Sequence, residues 1–170
     1  MPFANAVVDA NRAGAGTMDA PHRDLGQVRT WLFLLHGVLM ILSFLGLFAL
    51  GILTARFGRP SSLLGAGSRF SAPGAWFKQH RAIQIAGVGG VVGAAVLGIA
   101  AVQVAGVGHF SRPHQQLGLA VIVLVLLQAV GGQVGHVIRQ RHGHRAQNAF
   151  HVLLGLVVFV LGAVNSEHDE

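Results

Sequence analysis

Four stretches of this 170-residue chain contain no Asp, Glu, Lys or Arg: Thr30 to Ala55, Ala82 to Ser111, Pro113 to Ile138 and Ala146 to Ser166. Each is long enough to cross a hydrocarbon layer about 30 Å thick, which takes about 20 helical residues. Lipid offers no partner to a free backbone N–H or C=O, so only helices and closed barrels span it. These runs are apolar on every face and lack a barrel's alternation, which leaves helices. The expected fold is all-α, a polytopic transmembrane four-helix bundle. It occupies residues 29–166, with a mobile N-terminal tail over 1–28 and an acidic tail over 167–170. The balance of 52% hydrophobic to 11% charged residues is too apolar for a soluble domain of this size. A net charge of +6 does not point to nucleic acid, because the arginines sit between apolar runs and not on a soluble basic surface. With no cysteine, the chain has no disulfide, iron–sulfur cluster or covalently attached c-type haem.

Local punctuation supports the same division. Ser71, Ala72 and Pro73 are expected to open the second helix, and Ser111, Arg112 and Pro113 the third, with serine as cap and proline in the first turn. Trp31 and Trp76 fall near span ends, where an interfacial aromatic belongs. Gly58 to Gly74 reads as a loop. Four spans put both termini on one side, together with Arg12, Arg23, Arg29, Arg112 and all six acids, a net −2. The other side carries Arg56, Arg59, Arg69, Lys78, Arg81, Arg139, Arg141 and Arg145, a net +8. The basic side is expected to be cytoplasmic, and the termini lumenal or extracellular.

Ten histidines in so apolar a chain need a reason, because an imidazole without partners is costly in hydrocarbon. His36, His80, His114 and His151 each lie near the start of a different span. Successive spans run antiparallel, so His36 and His114 fall near the outer face and His80 and His151 near the cytoplasmic face. Alternate helices stand diagonally in a four-helix bundle, so each couple faces across the bundle as the two axial ligands of one haem would. Two non-covalent haem b groups, each with two histidine ligands, are the expected cofactors, their irons roughly 15 to 20 Å apart. Gly118 and Gly155, one turn beyond His114 and His151, are expected to clear a porphyrin. Gly89, Gly93 and Gly98 serve helix packing or haem clearance equally well. His136 competes for a place in the inner couple. His109 reads as a propionate or substrate contact, and His22, His142, His144 and His168 as solvated. Gln84, Gln103, Gln128 and Gln133 suit either interhelical bonds or a haem edge.

Four motifs in order give these residues a likeness. They are His36-Gly37-Val38-Leu39-Met40 with Ala55-Arg56, then Trp76-Phe77-Lys78-Gln79-His80-Arg81-Ala82-Ile83-Gln84, then Pro113-His114-Gln115-Gln116-Leu117-Gly118. The last is Asn148-Ala149-Phe150-His151-Val152-Leu153-Leu154-Gly155 with Asn165. From Trp31 to Asn165 the chain resembles the eukaryotic cytochrome b561 core, most closely the version that follows extracellular DOMON domains. The resemblance implies a di-haem transmembrane reductase, moving electrons from cytosolic ascorbate to monodehydroascorbate or a ferric chelate outside. It implies the same ligand couples, His36 with His114 and His80 with His151. For the donor site it implies Lys78 and Arg81, with Arg139, Arg141 and Arg145 as looser matches; outside, His109 and Arg112 lie beside the outer couple. Better-known members carry further helices around the core. The expected partners are the bilayer and the two small redox molecules, with no nucleic acid, and a homodimer is compatible. Two other readings share these residues: a quinone-linked bacterial-type cytochrome b, and a haem-free membrane anchor or ion or proton pathway.

Overall fold

The structure, a computed structural model, describes residues 20–58, 75–142 and 146–165. Its elements are α1 (Ala20–Ile41), a π-helical stretch π1 (Leu42–Phe48), α2 (Ala49–Phe57), α3 (Ala75–Ala105), α4 (Pro113–His142) and α5 (Ala146–Asn165). Among the described residues there is no strand. Ile41 and Ala49, on either side of π1, keep right-handed helical geometry, so α1, π1 and α2 form one continuous first span. The helix already runs from Ala20, within the stretch read as a tail. The first span, α3 and α4 each pass the length and apolarity needed to cross a membrane. The fourth, α5, is shorter at 20 residues, which at 1.5 Å per residue still covers about 30 Å.

The first span packs along α3, and α4 along α5, giving two hairpins joined by α3 against α4 and closed by π1 against α5. Diagonal helices make no backbone approach: α1 stays apart from α4, and α3 from α5. A seam of glycines on α3 brings the first hairpin together. Gly98 receives the His36 ring, Gly93 the Leu39 side chain, Gly90 the Ser43 hydroxyl and Gly87 the Phe48 ring. On α3 these seats follow at steps of five, three and three residues, and on the first span at three, four and five, the last of these from Ser43 to Phe48 within π1. A π-helix, whose hydrogen bonds run i→i+5, is wider and turns more slowly than an α-helix, so residues five apart fall nearer to one face. The extra residue in π1 keeps both Ser43 and Phe48 on α3 while Phe44 turns onto Gly162 of α5.

Phe44, Phe48, Val91, Val121, Val125 and Val158 form the buried core, and Phe44 meets Phe48 edge to face at 5.2 Å. The outer surface is as apolar as the core. Val130 and Leu153 are each 62% exposed, the arrangement of a protein whose surroundings are lipid.

The α3–α4 turn departs from the expected capping. Gly106, at φ 65°, ends α3 with its N–H on the Gln103 carbonyl, a left-handed cap. Pro113 opens α4 as expected, but Arg112 is the cap, its carbonyl accepting the N–H groups of Gln115 and Gln116. The Ser111 hydroxyl donates to the Gly108 carbonyl, and its N–H donates to the Gln115 side chain. Gln115 thus reaches back as the last member of a capping box does, and the serine hydroxyl is left to the turn. The expected cap at Ser71 and most of the Gly58 to Gly74 loop lie outside the described residues.

Candidate histidine couples in the bundle

At the outer level His36 projects from α1 and hydrogen-bonds through Nδ1 to the Ala94 carbonyl of α3, at 2.7 Å. His114, in the first turn of α4, makes the equivalent bond to the Asn165 carbonyl of α5, at 2.9 Å. A carbonyl accepts only, so each Nδ1 carries the proton and each Nε2 keeps the lone pair a metal needs. Although their helices are diagonal, the two rings come within 6.1 Å of each other, centroid to centroid. Two imidazoles on one metal, each bonded at about 2 Å, have centroids about 6 Å apart. The donors present therefore fit a bis-histidine iron.

The inner level shares part of this pattern, the support of His80. His80 of α3 hydrogen-bonds through Nδ1 to the Gly51 carbonyl of α2, at 2.8 Å. His151 of α5 rests on Gly132 of α4, where an added methyl would stand 2.8 Å from its Cε1. Its backbone carbonyl accepts from the Gln128 side chain at 2.6 Å, and its buried Nδ1 has no protein partner. Among the described residues no three His, Cys, Asp or Glu side chains gather into a metal site. Pairs of histidines suit a metal whose other positions belong to a macrocycle, as in haem.

His136 lies flat on the Phe77 ring, with centroids 4.1 Å apart. His109 is exposed in the outer turn and bonds through Nε2 to the Gln103 side chain at 3.0 Å. Arg112 is exposed beside it, while Lys78, Arg81, Arg139 and Arg141 are exposed at the opposite end. Arg145 lies outside the described residues. Gly118 faces the Asn165 amide and Gly155 the Gln128 amide. The glycines beneath the His36 and His151 rings are instead Gly98, weighed in the sequence for packing or clearance, and Gly132, which was not singled out. Nor do the acceptor carbonyls of Gly51 and Ala94 have a sequence signature, since any residue supplies one.

The chain matches the sequence family described as eukaryotic cytochrome b561 over residues 35–168, a span that includes all four histidines. No curated protein and no solved structure matches it. The family binds haem b and transfers electrons across membranes, and the apolar helices place this chain in a bilayer. On that match, and with its long apolar helices, this chain belongs to the eukaryotic cytochrome b561 family, an integral membrane oxidoreductase.

Proposed function

We propose that the chain conducts electrons between the two faces of a membrane, using two haem b groups held by His36 with His114 and by His80 with His151. The approach of His36 and His114 to 6.1 Å from helices that otherwise stand apart is the observation that carries this reading. Haem supplies a one-electron redox change at iron; the chain's residues hold, orient and insulate it. The Nδ1 bonds fix the tautomer and the ring plane, the role an outer hydrogen bond plays for a histidine ligand. Along α3, His80 and the carbonyl that holds His36 are fourteen residues apart, about 20 Å at 1.5 Å per residue. Between these levels lies the apolar core, where the one buried polar side chain among the described residues, Ser43, donates to the Leu39 carbonyl. Among the described residues this layer offers an ion or proton few polar side chains. That favours electron transfer over an ion or proton pathway.

The donor enters at the basic end and is ascorbate, drawn by the uncompensated positive charge; we assign Lys78 to its site, with Arg139, Arg141 and Arg145 contributing to the field. The acceptor, monodehydroascorbate or a ferric chelate, meets the end that carries His109 and Arg112. Proteoliposomes that enclose ferricyanide and receive ascorbate outside test the function. Haem-replete protein is expected to bleach the enclosed ferricyanide, and no bleaching above protein-free vesicles would overturn the reading.

A further inference from the structure

We propose that the crevice between α3 and α4, at the basic end and on the lipid side, binds an anionic phospholipid. Its phosphate would sit on Arg81 and an acyl chain along Ile85 and Val130. The two hairpins meet here far more sparingly than their own helices do. The gap is an open crevice of about 410 Å³ lined by Arg81, Ile85, Ala129, Val130 and Gln133. It faces outward: Ile85 is 60% and Val130 62% exposed, whereas His80, next to Arg81, turns to the Gly51 carbonyl. The lining is graded with depth. Arg81 and Gln133 lie nearer the helix ends at the basic side, and Ile85, Ala129 and Val130 lie deeper. A phospholipid has the same order of charge, polar linkage and hydrocarbon.

Charge favours this occupant over a neutral lipid. Lys78 is one turn from Arg81, and the chain carries no acidic residue at this end in either helix or loop. A basic pocket between transmembrane helices at the membrane surface is a place where anionic headgroups bind. A soluble anion would leave the apolar half of the crevice unfilled.

The test uses the whole protein in nanodiscs of phosphatidylcholine with a minority of phosphatidylglycerol, and measures retained lipid by native mass spectrometry. Parent protein is expected to retain phosphatidylglycerol preferentially, and Arg81→Gln to lower that preference about fivefold or more. Ile85→Trp fills the deep half without changing charge and is expected to displace the lipid as well. Arg139→Gln removes the same charge from the same end outside the crevice and is expected to keep the preference. An equal loss in Arg139→Gln would reduce the effect to general attraction and overturn the site, as would retention undiminished by Ile85→Trp. Haem absorbance of the same samples reports separately on the electron-transfer reading, which can fail or stand without deciding this one.

Discussion

A methyl group added at Gly98 would stand 2.9 Å from Nδ1 of His36, and one added at Gly132 2.8 Å from Cε1 of His151. Each glycine seats one imidazole, so if the proposed couples hold haem the two substitutions are expected to separate. Gly98→Ala should disturb the outer haem and Gly132→Ala the inner, each weakening its own haem about 10- to 100-fold, the usual cost of losing support around a metal ligand. Haem titration with resolved low-spin electron paramagnetic resonance signals checks this, and a Gly98→Ala protein altered only in the inner signal would refute the placement. His114→Ala is expected to leave one haem per chain, since its partner His36 binds nothing alone while His80 and His151 are untouched. Loss of both haems from a folded variant would contradict the pairing. That His36 and His114 share one level was legible because a lone imidazole is costly in lipid and antiparallel helices fix its depth. Their supports were not, because a backbone carbonyl or a bare Cα looks the same in sequence wherever it faces.

The π-helical stretch shows what a helix pattern hides. Thr30 to Ala55 is apolar all round, so no amphipathic phase marks the five-residue step from Ser43 to Phe48, and the run reads as an unbroken helix. Gly46 faces outward with nothing within 4 Å of where a side chain would begin. Deleting it returns the step to four residues, so the stretch is expected to become α-helical with Ser43 and Phe48 still on α3 and both haems retained. Loss of a haem on this deletion would show that the extra residue itself positions a ligand. Gly162→Ala drives a methyl into Phe44 in the layer between the levels. Overpacking of this kind is expected to lower stability by about 1 to 3 kcal/mol, read from thermal unfolding, with haem content unchanged. The α4 cap illustrates the opposite limit, since Ser111 has the right residue type but the Gln115 side chain takes its N–H and the turn takes its hydroxyl.

The described bundle has a basic end, carrying Lys78, Arg81, Arg139 and Arg141, and an apolar core deeper in the helices. Its class and the order of its helices could be read from the sequence because composition and charge-free runs leave lipid as the only suitable solvent. Shared shape between the hairpins could not, because it depends on which glycines meet which side chains. If the basic end receives the donor, Lys78→Ala is expected to raise the apparent KM for ascorbate with haem spectra unchanged, and an unaltered KM would remove Lys78 from that site. The account depends above all on two imidazole couples each gripping one iron. The most direct measurement is a reduced-minus-oxidised spectrum of purified, folded protein with haem counted per chain. The account predicts two low-spin b-type haems per chain, reducible by dithionite and indifferent to carbon monoxide; a cofactor-supplied preparation that stays colourless would contradict it.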